Sequence, residues 1–156
     1  MEGFVDDMSP GHVGAPVKRQ EDLRLLTGRA RYIADIDLPG MLEAVFVRSP
    51  VAHAEIRRID LEPARAMRGV HAIVTSADLQ GMSPFPDNLK MARGVSQFPL
   101  AVDRVRYAGT PVATVVADDR FLAVDASEAV TVDYEPLPVV SSVEESLAPG
   151  APLLYE

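Results

Sequence analysis

The chain has 156 residues, the length of one domain, and 47% of them are hydrophobic. Its 23 acidic and 15 basic residues give a formal net charge of -8, which repels phosphate backbones and anionic lipid, so we expect no nucleic acid and no membrane among its partners. The absence of Cys excludes disulfides, thiolate metal sites and iron–sulfur clusters held by this chain.

The chain begins with a segment that is predicted to be an extended arm, residues 1–20, because prolines and glycines interrupt it without a sustained hydrophobic period. Its first residues are acidic where a secretory signal is basic, and no apolar run approaches the ~20 residues that span a bilayer, so we expect a cytoplasmic protein. A helical turn is predicted at residues 21–26, with Gly28 as its stop signal. We expect the folded domain to span residues 21–140 and a linker to follow at 141–156.

Two adjacent strands are predicted next, at residues 41–48 and 54–59, with the turn between them at Ser49–Ala52. Apolar residues occupy both faces of the first strand, a pattern typical of a strand that is covered on both sides.

A short helix and a third strand are predicted after this pair. Asp60 is placed to accept the exposed amides of a helix that starts at Leu61, and Gly69 lies beyond the end of that helix. The third strand covers residues 70–75, and a capped turn covers residues 76–79.

A long segment without sustained periodicity follows at residues 81–98. Structureless loops longer than about 15 residues are uncommon in compact domains and are usually functional or disordered. Exposing the large apolar side chains of this segment to water is unfavourable, which favours partner contact slightly over a flexible loop. These side chains are Met82, Phe85, Leu89, Met91 and Phe98.

Residues 102–107 and 112–117 are predicted to be two strands of a hairpin, because Gly109 and Pro111 suit the turn between them. Asp119 is predicted to cap a helix at residues 120–129, which leads into a buried strand at 130–134.

A turn of helix at residues 143–147 interrupts the proline-rich C-terminal part. The order of elements predicts a mixed α/β, or α+β, fold with two main helices.

The residues that carry chemistry form no recognisable catalytic, cofactor-binding or metal site. The three histidines, His12, His53 and His71, lack a zinc-binding spacing, and no phosphate-binding loop occurs. Ser49 lies outside any nucleophile elbow and is expected in a turn. Arginine and tyrosine at strand ends commonly make fixed hydrogen bonds across interfaces, whereas the alternative is an internal structural bridge. The candidate interface residues are Arg48, His53, Arg104, Arg106 and Tyr107.

Four sequence motifs occur in an order that resembles the amino-terminal domain of the molybdenum hydroxylase large subunit, a family that includes aldehyde oxidases, xanthine dehydrogenases and carbon monoxide dehydrogenases. The motifs are Thr27–Leu42, Arg48–Ile56, Arg104–Ala113 and Val132–Val139. The resemblance implies an α/β hammerhead fold, with a mixed sheet, two helices and a projecting hairpin. One departure is Thr110, where the family leads us to expect an acidic or amide residue.

The same resemblance implies an activity for a longer polypeptide. In the family, a large subunit binds a molybdopterin cofactor, hydroxylates a carbon centre and passes electrons to iron–sulfur and flavin partners. The glycine-rich stretches and the basic Glu of that site have no counterpart in these residues, so no catalytic or cofactor-binding residue is transferred. A chain that ends at Glu156 is then expected to be a truncated product, a separate subunit or an excised piece.

Three functions remain as alternatives at this point. The leading one is a structural and interaction domain of a molybdenum hydroxylase, inactive alone, that contacts the molybdopterin-binding polypeptide. A free-standing adaptor or ligand-binding domain that reuses the hammerhead fold is the second. A small hydrolase or isomerase that uses Asp or His with Arg106 is the third. Exposed apolar surface would also favour a homo-oligomer.

Overall fold

The computed structural model of this protein describes residues 18–85 and 95–155. The chain divides into two compact units, Met1–Pro39 and Gly40–Glu156. Most of the predicted arm (residues 1–17) and the middle of the predicted loop (residues 86–94, which include Leu89 and Met91) lie outside the described residues.

The described part of the first unit contains one helix, α1 (Asp22–Leu26), and a 3₁₀ turn at Ile33–Asp35. Gly28 follows the helix at φ +66°, a left-handed conformation that glycine adopts without steric cost, so the predicted helical turn and its stop are confirmed. Leu26 and Ile33 are 86% and 89% exposed. The apolar side chains of this segment therefore lie at its surface rather than in a core.

The second unit contains two three-stranded sheets in which every described pairing is antiparallel. The first sheet has the order β1 (Glu43–Arg48), β5 (Pro111–Ala117), β3 (Val70–Thr75). The second has the order β4 (Arg104–Val105), β2 (Ala54–Asp60), β6 (Thr131–Pro136). Central strand β5 has the most buried residues because it has a neighbour on each side and a helix over one face.

The described part of this unit contains three helices, α2 (Glu62–Arg65), α3 (Arg120–Glu128) and α4 (Val143–Leu147). Two of them, α3 and α4, begin at a capping side chain. Asp119 Oδ1 accepts the Leu122 amide at 2.9 Å, so the predicted cap of α3 is confirmed. Asp60 Oδ1 accepts the Glu62 amide at 3.2 Å as predicted, but α2 begins one residue later than predicted and its N-cap residue is Leu61, whose side chain makes no cap. No helix within residues 18–85 and 95–155 is long and apolar enough to cross a membrane.

The predicted capped turn at residues 76–79 is also confirmed. The amide and hydroxyl of Thr75 donate to Asp78 Oδ2 at 2.8 and 3.0 Å. These two hydrogen bonds favour the ionised carboxylate and lower the pKa of Asp78 below its usual value.

The core consists of two clusters of small and medium side chains. In the first, Val115 of β5 packs with Ala126 of α3 and Ala64 of α2. In the second, Ala54 of β2 packs with Val105 and Val112. A core without large aromatic anchors depends on close approach of the backbones, and fully buried alanines permit that approach.

The α+β class is confirmed, but the sheet arrangement differs from the prediction in two respects. The expected mixed sheet is instead two antiparallel sheets, with the supposedly adjacent strands β1 and β2 in different sheets. The hairpin expected of residues 102–107 and 112–117 is wrong, because β4 pairs with β2 whereas β5 pairs with β1 and β3. Hydrophobic alternation located these strands, but it carries no information about which strand each one pairs with.

Gly69 joins α2 to β3 in a place where no other residue fits well. It has φ +86°, and an added Cβ would lie 2.6 Å from Leu122 Cδ2 and 2.7 Å from Asp118 Oδ2. Gly81 has the same φ, but apart from its chain neighbours no atom of the described residues lies within 4 Å of that position. We expect Gly81→Ala to cost about 1 kcal/mol through backbone strain alone, and Gly69→Ala to cost about 2 kcal/mol because Leu122 and Asp118 must also move.

Urea unfolding of the two variants measures this difference directly. Equal midpoints for Gly69→Ala and Gly81→Ala would mean that the neighbouring side chains move aside freely, in contradiction to the expected close packing.

Candidate functional site

Two of the motif segments lie side by side and are held together through their backbones. The Ser49 amide donates to Thr110 O at 2.9 Å, and the Gly109 amide donates to Ser49 O at 2.7 Å. Ser49 is 3% exposed, and its hydroxyl donates to Val51 O at 2.8 Å, so its expected turn role is confirmed. The turn after β1 and the turn before β5 therefore form one hydrogen-bonded unit.

Thr110 closes the second of these turns with its side chain. Its hydroxyl donates to Tyr107 O at 2.6 Å and accepts the Tyr107 amide at 3.3 Å. The residue at which the sequence departs from the family expectation is thus a buried structural residue of this turn. The Tyr107 ring is left 56% exposed.

Arg48 reaches the same turn from the end of β1. Its Nη1 donates to Gly109 O at 2.9 Å, and its guanidinium carbon lies 5.3 Å from the centre of the Phe46 ring. Both contacts hold the side chain along the surface, with the positive charge at the turn.

Arg104 and Arg106 lie just before this turn in the chain. Arg104 forms an ion pair with Glu55 of the neighbouring strand, with 3.7 Å between Nη2 and Oε1. Arg106 Nε donates to Leu154 O at 2.7 Å, and the guanidinium carbon lies 4.7 Å from the centre of the Tyr155 ring. All three arginines make the internal contacts that the structural alternative predicts, and their role at an interface stays a prediction.

A groove of about 580 Å³ brings three of the five candidate residues together: Arg104, Arg106 and Tyr107. Aromatic side chains from distant parts of the chain also line it, namely Phe85, Phe98 and Tyr155. Arginine and aromatic residues are the types enriched in protein interfaces, so this groove is the candidate functional site of the described residues.

His53 lies elsewhere, inside the fold. It is 5% exposed, and its Nδ1 lies 2.8 Å from Pro138 O. A carbonyl oxygen only accepts, so Nδ1 carries the proton, and Nε2 is buried without a hydrogen-bond partner among the described residues. The backbone adds a second tie, from the Leu137 amide to His53 O at 2.9 Å. His53 therefore holds the segment that follows β6 in place through one side-chain and one backbone hydrogen bond.

Tyr134 of β6 is a half-buried side chain whose hydroxyl oxygen is buried, and sequence reasoning did not single it out. Burial raises the pKa of its phenol, and the nearby Ser49 hydroxyl opposes that rise. The Ser49 hydroxyl donates to Val51 O and accepts the Val51 amide, and the Tyr134 hydroxyl makes no well-formed hydrogen bond within the described ranges.

Leu154 and Tyr155 are the groove residues that the sequence did not indicate, since they lie in a predicted linker. The sequence held only a weak indication that Tyr155 belongs to the groove. Tyr155 is a lone aromatic residue at the end of a proline-rich stretch, and the arginines of the groove lie far away in sequence.

The groove offers no metal site. Across residues 18–85 and 95–155, no three His, Cys, Asp or Glu side chains converge to hold a metal ion.

Comparison with known proteins gives consistent matches. The family model described as aldehyde oxidase and xanthine dehydrogenase, a/b hammerhead domain, matches residues 27–138. The chain is 44% identical over 144 residues to the carbon monoxide dehydrogenase large chain of Afipia carboxidovorans, a match that covers 92% of this chain and 18% of that protein. It is 38% identical over 141 residues to the xanthine dehydrogenase molybdenum-binding subunit of Escherichia coli O157:H7, a match that covers 85% of this chain and 18% of that protein.

The fold matches a solved structure as well. Reconstituted carbon monoxide dehydrogenase from Oligotropha carboxidovorans superposes with a TM-score of 0.77 at 43% identity, over 90% of this chain and 17% of that one. The chain thus spans less than a fifth of the length of these relatives. The match to the hammerhead family model covers most of the chain, and the superposition confirms the hammerhead fold. This chain belongs to the hammerhead-domain family of the molybdenum hydroxylases, the aldehyde oxidases and xanthine dehydrogenases.

Proposed function

We propose that this chain is a structural and interaction domain of a cytoplasmic molybdopterin-dependent hydroxylase. The molybdenum site is held by other polypeptide, and iron–sulfur and flavin subunits complete the electron path. Two observations carry the proposal: residues 27–138 match the hammerhead-domain family, and the chain is similar to a subunit named as molybdenum-binding, of which it spans 18%.

The chemistry of the described residues supports a scaffold role. Hydroxylation with electron transfer requires a redox centre, and this chain has no Cys and no cluster of metal ligands within its described ranges. It does have a surface suited to contact, in which Arg48, Arg106 and Tyr107 surround one rigid turn. Rigid aromatic and arginine side chains dominate binding energy at protein interfaces.

We expect this chain to recover a molybdenum-bearing polypeptide when it is used to capture partners from its native host. The retained proteins are identified by mass spectrometry, and their molybdenum is measured by elemental analysis. The purified chain alone is expected to turn over no aldehyde, purine or carbon monoxide. Turnover by the purified chain, or capture of only an unrelated protein, would contradict the proposal, and the second result would favour an adaptor.

The exposed ring of Tyr107 allows the interface to be located in the same experiment. Its backbone, not its ring, makes the turn contacts, so Tyr107→Ala is expected to keep the fold and to reduce recovery of the partner. Phe121→Ala is the matched control, because Phe121 is an 82% exposed aromatic residue on α3 that does not line the groove. Equal recovery with both variants would place the interface elsewhere.

A further inference from the structure

The groove is lined by two segments that are far apart in sequence. Most of its lining comes from residues 96–111, and the rest includes Leu154 and Tyr155. Helix α4 ends at Leu147, and a turn follows in which the Ala151 amide donates to Ala148 O at 3.1 Å and Gly150 takes φ +81°. This turn leads into residues 151–155, which we call the strap.

Burial of the two leucines alone does not explain why the strap stays in place beside the groove. Leu153 is 69% exposed and Leu154 is 39% exposed, so the two leucines leave much of their apolar area in water. Because hydrophobic stabilisation is proportional to the apolar area removed from water, Leu153 contributes little to holding the strap and Leu154 contributes only part of what a fully buried leucine would.

Arg106 supplies the missing attachment through two different contacts. Its Nε–H donates to the backbone carbonyl of Leu154 at 2.7 Å, which is the short distance of a charge-assisted hydrogen bond. Its guanidinium lies over the ring of the next residue, Tyr155, at 4.7 Å from the ring centre. A flat guanidinium makes both contacts at once, whereas a lysine ammonium lacks the plane and the fork.

The charge of Arg106 is not used in any other way by the described residues. Within residues 18–85 and 95–155, no carboxylate lies within ion-pairing distance of Arg106, whereas its neighbour Arg104 pairs with Glu55. The hydrogen bond and the cation–π contact of Arg106 are therefore both made to the strap.

We propose that Arg106 holds the strap as a detachable wall of the groove, by recognising a backbone carbonyl followed by an aromatic ring, and that the groove widens when these two contacts are lost. The proposal concerns contacts within the chain and holds whether or not a molybdenum partner binds.

The lack of Trp in the chain gives a direct test. Tyr155→Trp places a single fluorophore in the strap and keeps an aromatic face for Arg106, since Trp is the best cation–π partner. We expect its emission to be shielded from acrylamide and its anisotropy to be that of the whole domain. Adding Arg106→Ala is expected to raise the population of detached strap about tenfold, because a charge-assisted hydrogen bond is lost. Quenching then rises and anisotropy falls.

Two further variants on the Tyr155→Trp background make the result decisive. Arg106→Lys keeps the charge but loses the planar fork, so it is expected to release the strap in part. Arg68→Ala removes an exposed arginine that does not line the groove, and it is expected to leave the fluorescence unchanged. Circular dichroism checks that each variant is folded; if Arg106→Ala unfolds the domain, Arg106→Lys carries the test. An indole that is freely quenched while Arg106 is intact, or quenching that no Arg106 variant changes, would overturn the proposal.

Discussion

Replacing Val115 by Asp is expected to unfold the domain at room temperature or to cost it at least about 4 kcal/mol, because the substitution buries an unpaired charge. Val115 is fully buried in the middle of the central strand β5, against Ala126 of α3 and Ala64 of α2. Small domains have only about 5–15 kcal/mol of net stability, so a loss of this size removes much of it. Circular dichroism during urea unfolding measures the effect.

Val102→Asp is the matched control for this prediction. Val102 is 57% exposed, so the same change of side chain places the charge in water, and we expect the unfolding midpoint to remain close to that of the unmodified chain. If Val115→Asp unfolded at the same urea concentration as Val102→Asp, the core would not lie where β5, α2 and α3 meet.

Replacing His53 by Ala is expected to cost about 2–3 kcal/mol, because it removes a buried ring and leaves the Pro138 carbonyl without its donor. His53 is 5% exposed, and among the described side chains only His53 forms a hydrogen bond with Pro138 O, at 2.8 Å. The chain after β6 should loosen as well, and amide hydrogen exchange at residues 137–140 would detect this local opening.

His71→Ala provides the comparison for His53. The His71 side chain is 50% exposed, and its Nε2 lies 2.6 Å from Asp118 Oδ1 at the surface. We expect little change in the unfolding midpoint, because surface pairs of this kind contribute little to stability. A His53→Ala variant as stable as His71→Ala would mean that the buried imidazole does not hold the chain after β6.

Local features of the sequence predicted the local features of the fold. Asp119 and Asp60 accept helix amides as expected, and Gly28 ends a helix, because capping and left-handed turns depend on a few neighbouring residues. Strand pairing depends on residues far away, and here the prediction failed: Val105 and Val112 are close in sequence and pack in one cluster, yet their strands belong to different sheets.

The candidate site could be predicted only in part for the same reason. Arg104, Arg106 and Tyr107 were singled out by residue type and strand position, and all three line the groove. Tyr155 was missed because its partner Arg106 lies in a different part of the chain, and a single sequence carries no signal of that pairing. His53 was selected with the arginines, although it is buried and does not line the groove.

The central position of β5 has a consequence for how the chain folds during synthesis. Val45 of β1 and Ile73 of β3 both pair with Val115, so the two outer strands of that sheet acquire a partner only after the ribosome has made β5. Until then the nascent chain carries unpaired strands with open edges, which favour aggregation. Because this pairing spans a long stretch of sequence, folding is expected to be slow for the size of the domain, and substitutions in β5 would reduce the yield of soluble protein first.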